Sequence, residues 1–210
     1  MVDLIATEGQ AITVNFLGPA KIYLPFVSST NVELVPYAWI DAKSGGRIIP
    51  LGDDAYDYVS LPFTFNVYGN SYTGIYVSSN GFISFEAGSS AFSNSCIPSG
   101  STPNNAAYVF WDDLVPTGGA NGNVYVKQID PSTVVVEWYQ VKKSGVTQYE
   151  TFEAVLRSNH SITYQYQSLG DVGSATIGVE NSTGTLAKQF VCNGDGMTVQ
   201  DRLAIRYPTP

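Results

Sequence analysis

Residues 61–85, with the sequence LPFTFNVYGNSYTGIYVSSNGFISF, decide the fold of this chain. Apolar side chains alternate with polar or small ones over residues 61–67 and 74–77, which is the period of a β-strand with one buried face. Asn80-Gly81 separates the sequences IYVSS and FISF and predicts a tight hairpin in which both central residues adopt positive φ. The stretch therefore predicts neighbouring antiparallel strands.

The same alternation recurs along the whole chain. Predicted strands cover residues 10–16, 21–27, 61–67, 74–77, 82–85, 107–111, 124–128, 133–141, 149–156, 161–167, 175–180 and 203–207. Turn-forming residues such as Thr117-Gly118-Gly119 and Asn159-His160 separate them, and no segment keeps the period of an amphipathic helix over about ten residues. We predict an all-β fold, a jelly-roll-like antiparallel β-sandwich of about 10–12 strands.

The first 36 residues carry two short predicted strands joined by a Gly18-Pro19 turn, and they differ from the rest. They are either an extension that packs on an edge of the main sheet or the tail of a preceding domain. Because two strands alone cannot form a stable core, we favour the extension. Residues 37–210 are then the β-sandwich domain.

The composition gives enough apolar residues for a large core and few charges. Hydrophobic residues make up 44% of the 210 residues and aromatic residues 13%, which argues against intrinsic disorder. Charged residues make up only 13%, against about 25% in an average soluble domain. This bias is typical of extracellular β-proteins, so we expect an extracellular or cell-surface location.

The acidic balance of the chain restricts its partners. The net charge of -8 opposes phosphate backbones and anionic membranes by Coulomb repulsion, so nucleic acid is not expected as a partner. Membrane insertion is not expected either, because no run of about 18 apolar residues occurs. Residues 1–4 lack the features of a signal peptide, so we interpret the sequence as a mature or excised fragment.

The chain has two cysteines, Cys96 and Cys192. Their spacing does not match a zinc site or a redox motif, because no CxxC pair and no nearby histidine accompany them. They form either a disulfide or two free thiols. The extracellular character of the composition favours the disulfide.

Several motifs occur in an order that resembles a known extracellular domain. They are Tyr37-Ala38-Trp39-Ile40, Leu51-Gly52-Asp53-Asp54, Leu61-Pro62-Phe63-Thr64-Phe65, Tyr68-Gly69, Ile75-Tyr76-Val77-Ser78-Ser79-Asn80-Gly81, Ile83-Ser84-Phe85, Phe110-Trp111-Asp112-Asp113-Leu114 and Ile177-Gly178-Val179-Glu180-Asn181. Together they resemble the β-sandwich accessory domains of secreted bacterial subtilisin-like peptidases and modular surface proteins, which are related to nidogen-like (NIDO) extracellular domains. The resemblance implies a β-sandwich in a modular secreted protein. It implies no single activity and no ligand.

Acidic residues in two predicted loops offer oxygen ligands for calcium, the one cofactor that the sequence suggests. Asp53, Asp54 and Asp57 lie in one loop, and Asp112 and Asp113 follow a predicted strand. Calcium takes carboxylate and carbonyl oxygens from irregular segments, although the spacing is not that of an EF-hand. The alternative is that these acids hydrogen-bond backbone amides at turns and strand ends, which is the commoner role.

Tyrosines are the candidate ligand-binding residues, because sugars stack on exposed aromatic rings. Tyr68, Tyr72 and Tyr76 form a predicted aromatic patch of loop and strand. The alternative is ordinary packing between neighbouring strands.

Catalysis is not expected. The only histidine, His160, falls in a predicted turn, so a nucleophile has no evident base. Asp112 and Asp113 are adjacent and are expected to point to opposite faces, which does not suit a glycosidase pair. Glu137 or Glu150 would complete such a pair only by chance of the fold.

We therefore expect a non-catalytic accessory module that targets or anchors a larger secreted protein by binding polysaccharide or a protein surface. Its other partners would be the neighbouring domains of that protein. A structural spacer or stalk domain, and a hydrolase that uses two carboxylates, are the alternatives.

Overall fold

A computed structural model describes residues 32–116, 122–208 and 210. In this part of the chain every regular element is a β-strand, and 15 strands form two antiparallel sheets that pack face to face. The antiparallel β-sandwich predicted from the alternation is confirmed. The described residues include no helix that is long and apolar enough to cross a membrane.

The strands are β1 (Glu33–Leu34), β2 (Arg47–Ile49), β3 (Tyr56–Val67), β4 (Asn70–Ser78), β5 (Phe82–Ser84), β6 (Ala106–Trp111), β7 (Leu114–Val115), β8 (Asn123–Asp130), β9 (Thr133–Lys143), β10 (Tyr149–Arg157), β11 (Ile162–Ser168), β12 (Thr176–Glu180), β13 (Ala187–Cys192), β14 (Asp195–Gly196) and β15 (Ala204–Tyr207). Sheet A has the order β1-β15-β11-β10-β9-β8-β2, and β7 also pairs with β9. Sheet B has the order β14-β13-β12-β6-β5-β4-β3. Five of the six strand pairs of sheet B join strands that follow one another along the chain, but only three of the seven pairs of sheet A do, those from β8 to β11.

The predicted strands within residues 61–207 correspond to β3 to β6, β8 to β12 and β15. The strands predicted at residues 10–16 and 21–27 and the turn at 117–119 lie outside the described residues. The division of the chain at residue 37 stays a prediction, and β1, which precedes that position, pairs with β15 at the edge of sheet A.

Five strands were not predicted. β1, β2, β7 and β14 have two or three residues, which is too short to show a period of two. β13 is longer, but Phe190, Val191 and Cys192 are buried in succession. A register shift opposite these residues, between Ile177 and Gly178 of β12, breaks the alternation.

Aromatic side chains from sheet A fill the core, and some of them also form hydrogen bonds to the backbone of sheet B. The rings of Trp138 and Phe152 stack with centroids 5.1 Å apart. The hydroxyl of Tyr164 donates to the Gly178 carbonyl at 2.9 Å. This carbonyl lies at an irregularity in the pairing of β6 with β12, so a core tyrosine satisfies a backbone group beside the bulge.

Residues 37–43, here called the strap, cross the outer face of sheet A. Three polar side chains lie side by side beneath it, Gln165 on β11, Glu153 on β10 and Glu137 on β9. Gln165 binds the start of the strap, because its Oε1 accepts from the Ala38 amide at 2.7 Å and its Nε2 donates to the Ala38 carbonyl at 2.8 Å. The strap thus runs across the strands and makes backbone bonds to side chains of the sheet.

Two buried glutamates hold the rest of the strap. Glu153 Oε1 accepts from the Ile40 amide at 3.2 Å. Glu137 Oε2 accepts from the amides of Ala42 and Lys43 at 2.7 and 2.9 Å. Burial, opposed in part by the Ile40 hydrogen bond and reinforced by the charge of Glu137, raises the pKa of Glu153 to about 8. At neutral pH Glu153 is therefore largely protonated.

Residues 86–104, here called the cover loop, lie on the outer face of sheet B. A disulfide joins Cys96 of this loop to Cys192 at the end of β13, with the Cα atoms 5.3 Å apart. Ile97 packs into a buried cluster with Phe82, Tyr108 and other residues of the outer face. This covering explains why all six residues of β6 are buried, since both faces of the strand are out of water.

A buried carboxylate also holds the cover loop. Glu180 on β12 accepts from the Ser99 amide at 2.5 Å and from the Tyr108 hydroxyl at 2.9 Å. Burial raises the pKa of Glu180. The loop is therefore tied to sheet B by one covalent link and by a carboxylate that captures a backbone amide.

Candidate functional site

The Asn80-Gly81 hairpin is present between β4 and β5, and it assembles a candidate cation site. Gly81 adopts a φ of 76°, and a Cβ there would lie 2.0 Å from the Phe110 carbonyl oxygen. Asn80 does not adopt positive φ, contrary to the prediction. Its side chain is buried and bridges two loops, because Nδ2 donates to Asp54 Oδ1 at 2.9 Å and Oδ1 accepts from the Leu114 amide at 2.8 Å.

This bridge brings Asp54 to the loop that follows β6, where Asp113 lies. Carboxylate oxygens of Asp53, Asp54 and Asp113 all lie within 4.8 Å of one another. Burial raises the pKa of Asp113, and the charges of Asp54 and Asp53 add to the rise. Carboxylate oxygens are ligands that calcium takes, so the cluster is a candidate cation site.

The other two acids of the predicted calcium set lie elsewhere. Asp112 is buried and pairs with Lys143, whose Nζ is 3.2 Å from Oδ2, and the same oxygen accepts from the Ser174 hydroxyl at 2.7 Å. Asp57 lies on β3, where its Oδ1 accepts from the Tyr58 amide at 2.8 Å. The structure thus brings three of the five predicted ligands together, since Asp112 has a cationic partner and Asp57 lies outside the cluster. Calcium binding by these residues stays a prediction.

The predicted tyrosine patch is also divided. Tyr68 and Tyr72 are partly buried against the core between the sheets. Burial raises the pKa of Tyr68 to about 12, and the Tyr72 hydroxyl accepts from Asn105 Nδ2 at 2.7 Å. Tyr76 lies on the opposite, outer face of sheet B. The three residues therefore do not form one surface.

The register of β3 and β4 explains this division. Phe65 is paired with Tyr72, but a register shift between Ser60 and Phe65 moves the later partners, so Tyr58 is paired with Tyr76. The shift reverses which residues of β4 face the core. Tyr72 and Tyr76 have the same parity along the strand and yet point to different sides.

Tyr76 joins two exposed tyrosines that the sequence interpretation did not select as ligand-binding residues. Tyr56 and Tyr58 are 48% and 49% exposed. Their ring centroids lie 6.1 and 5.2 Å from that of Tyr76, and both contacts are edge to face. We call these three residues the tyrosine platform. It stands on β3 and β4, at the edge of sheet B that β3 forms.

Two glycines support the platform from beneath. A Cβ placed on Gly74 would lie 2.0 Å from the Tyr58 hydroxyl oxygen and 2.3 Å from its Cζ. A Cβ placed on Gly88 would lie 2.0 Å from Cε2 of Tyr56. Each ring therefore lies over a glycine backbone, and the exposed part of the ring faces solvent. The platform offers aromatic rings that are already fixed in place.

His160 occupies the predicted turn between β10 and β11 with a φ of 67°. Its Nε2 lies 3.1 Å from Nδ2 of Asn66 and its ring packs edge to face on Phe65. Glu150 accepts from the amides of Gly170 and Asp171 at 2.7 and 3.0 Å. Both residues were weighed as catalytic candidates from the sequence. In the structure His160 contacts β3 from its turn, and Glu150 binds the backbone of the loop that follows β11.

The comparisons with known proteins agree with this architecture. The model of the NIDO-related family matches residues 32–199. No curated protein and no solved structure gave a match. The matched range runs from the residue before β1 into the segment that follows β14, and so includes the acidic cluster and the tyrosine platform. NIDO-related domains are typically extracellular modules. This chain belongs to the NIDO-related family.

Proposed function

We propose that this domain is a non-catalytic binding module of a larger secreted or cell-surface protein and that the tyrosine platform binds neutral polysaccharide. The observation that carries the proposal is the position of Tyr56 and Tyr58, which are half exposed, lie over glycines and share Tyr76 as a neighbour. Rings held in this way are ready to stack on a flat ligand without further ordering.

The chemistry of the surface favours a sugar. A pyranose presents an apolar C–H face to an aromatic ring and hydroxyl groups at its edge, which phenol hydroxyls can bind. The net charge of -8 disfavours a polyanion at this surface. A neutral polysaccharide satisfies both conditions.

The carboxylates support a binding role over catalysis. A glycosidase needs two carboxyl groups about 5–9.5 Å apart that face a substrate cleft. Glu137 and Glu153 are paired across β9 and β10, but both are buried and bound to the amides of the strap. Asp112 is neutralised by Lys143.

The setting is part of the same proposal. The motif order resembles accessory domains of subtilisin-like peptidases, and we propose that such a peptidase or another hydrolase is the partner that the module targets or anchors. Sequencing the coding region on both sides of this chain would test the setting. A hydrolase domain there would support targeting, whereas tandem copies with a surface anchor would support the spacer alternative.

Binding to a panel of soluble neutral polysaccharides, including xylan, mannan and mixed-linkage glucan, tests the platform. Affinity electrophoresis identifies a binder and isothermal titration measures its dissociation constant. We expect Tyr56→Ala and Tyr58→Ala to weaken binding at least tenfold, which corresponds to about 1.4 kcal/mol. Tyr149, a 44% exposed tyrosine on sheet A, provides the matched control, and Tyr149→Ala should bind as the unchanged protein does.

Two results would overturn the proposal. One is the absence of binding to every neutral polysaccharide, which would favour the spacer. The other is an equal loss of affinity in Tyr58→Ala and Tyr149→Ala, which would show that the platform is not the contact surface.

A further inference from the structure

We propose that a second site, on the outer face of sheet A, binds an acidic sugar through a single oxyanion. This oxyanion is either the carboxylate or the sulfate ester of the sugar. The site is a pocket of about 290 Å³, here called the arginine pocket. Its lining residues include Arg157, Asn159, Ser161, Thr163 and Arg206. The pocket and the tyrosine platform are on different sheets, so this proposal does not rest on the proposed function.

Arg157, at the end of β10, is the central residue of the pocket. Its side chain is partly buried, and NH1 donates to the Thr163 hydroxyl at 3.2 Å. No carboxylate of the described residues forms an ion pair with it. A partly buried guanidinium without an anion is unfavourable, because desolvation is not offset by an opposite charge. An external anion would supply that charge.

Arg157 gives the pocket its positive charge, because the second arginine of the pocket, Arg206, forms an ion pair with Glu33. Arg206 lines the same pocket, and its Nε donates to Glu33 at 2.9 Å. Burial and the charge of Arg206 both lower the pKa of Arg157. Glu153 and Asp130 act in the opposite direction, but Glu153, with a pKa of about 8, is largely protonated at neutral pH, and neither carboxyl group forms an ion pair with Arg157. Arg157 therefore keeps a charge that the described part of the protein does not neutralise by direct contact.

The turn after β10 adds neutral donors to the pocket. Asn159 Oδ1 accepts from the Ser161 amide at 3.1 Å and from its hydroxyl at 2.8 Å. This fixes the side chain of Asn159 and leaves its Nδ2 as a donor. A planar guanidinium beside an amide donor matches the geometry of a carboxylate or sulfate. The pocket, with a volume of about 290 Å³, is large enough for such a group together with part of the sugar that carries it.

Titration followed by ¹H–¹⁵N NMR tests the site in the whole chain. The probes are sodium glucuronate, glucose 6-sulfate and inorganic sulfate, with glucose as the neutral probe and the ionic strength held constant with sodium chloride. We expect saturable shifts of the Asn159 and Ser161 amides with glucuronate or the sugar sulfate. Glucose should cause none.

Two arginine variants locate the effect. Arg157→Gln should weaken binding at least tenfold, and Arg47→Gln should leave it unchanged. Arg47 is a suitable control because it also forms no ion pair with the described residues but lies on β2, away from the pocket. Shifts that grow linearly without saturation, or that are equal in both variants, would overturn the proposal. Binding of inorganic sulfate alone would overturn the assignment to a sugar.

Asn159→Asp keeps the test decisive if Arg157→Gln does not fold. Aspartate retains the oxygen that accepts from Ser161 and places a carboxylate in the pocket. We expect this variant to lose binding of the anion and to unfold at a higher temperature. A folded Asn159→Asp protein that binds glucuronate as tightly as the unchanged protein would contradict the site.

Discussion

The strap on sheet A and the cover loop on sheet B have the same structural role but are held in place by different sets of bonds. Both cover an outer face of the sandwich, and neither runs as a strand of the sheet beneath it. Carboxyl groups of the sheets accept hydrogen bonds from their backbone amides, those of Glu137 and Glu153 under the strap and that of Glu180 under the cover loop. Only the cover loop also has a covalent link, between Cys96 and Cys192.

The comparison shows what a crossing segment needs. Its amides cannot join a strand ladder, and buried amides without acceptors would cost about 1–3 kcal/mol each. Buried carboxyl oxygens of the three glutamates accept their hydrogen bonds, and none of the three forms an ion pair with another described residue. The strap should therefore respond to protonation of its carboxylates, and the cover loop should respond chiefly to the redox state of the disulfide.

The largest expected effect comes from breaking the disulfide. Replacing Cys96 and Cys192 by Ala should lower the free energy of unfolding by about 4 kcal/mol, because the link closes a loop of 96 residues in the unfolded chain. Guanidinium unfolding measures the loss, and a reductant should cause a similar loss in the unchanged protein. In hydrogen exchange the Ser99 amide should lose protection before the Ala42 amide does. Equal loss at both amides would mean that the two coverings are not independent.

For a change of one pH unit, a smaller effect is expected at the strap. Glu153 holds its proton more tightly in the folded chain, where its pKa is about 8, than at its ordinary value of 4.5. This contribution to stability should therefore be fully present below pH 4.5 and should be lost as the pH rises toward 8, by at most about 1.4 kcal/mol per pH unit. Glu153→Gln should remove this part of the slope in urea unfolding measured across that range.

Other buried acids make the control necessary. Burial also raises the pKa values of Glu137, Glu150 and Glu180, and each contributes with the same sign. Glu180→Gln is the matched control in the cover loop. It should flatten a separate part of the slope without changing the exchange of the Ile40 amide. A slope unaltered by Glu153→Gln would contradict the role assigned to this residue.

The smallest effect is expected at three carboxylates that do not accept hydrogen bonds from the amides of the strap or the cover loop. Asp53, Asp54 and Asp113 are close together and at least partly exposed, unlike the glutamates beneath the two coverings. Calcium at ten times its dissociation constant should raise the free energy of unfolding by about 1.4 kcal/mol. Thermal unfolding with calcium or with a chelator measures the shift. Asp113→Asn should abolish it and Asp57→Asn should not, and the reverse result would exclude the cluster.

The sequence was sufficient for the fold because the strands alternate strongly around Asn80-Gly81. It was not sufficient for the tyrosine platform. If the register next to the turn, where Phe65 pairs with Tyr72, continued along both strands, Tyr76 would pair with Leu61. The register shift between Ser60 and Phe65 pairs it with Tyr58 instead. A bulge of this kind leaves no local signal in the residue pattern, so the face on which each tyrosine lies could not be read.

The acidic cluster was predicted in part. The sequence placed all five acids in or near loops, but the choice among them depends on Asn80, whose side chain bridges Asp54 and the Leu114 amide. It also depends on Lys143, which captures Asp112. Both contacts join residues far apart in the chain, so periodicity could not reveal them. The strap was missed for the same reason, since its acceptors come from three separate strands.

The pairing of β1 with β15 has a mechanical consequence. Glu33 lies opposite Arg206, so the chain enters β1 about 5 Å from the place where it leaves β15. Tension applied to the two ends would break the hydrogen bonds of this strand pair one after another, because the force acts across the strands at one end of the pair. The bonds would not be loaded together in shear. Segments attached on both sides would also start from the same end of the sandwich. Residues 33–207 would thus add little distance between the segments that precede and follow them.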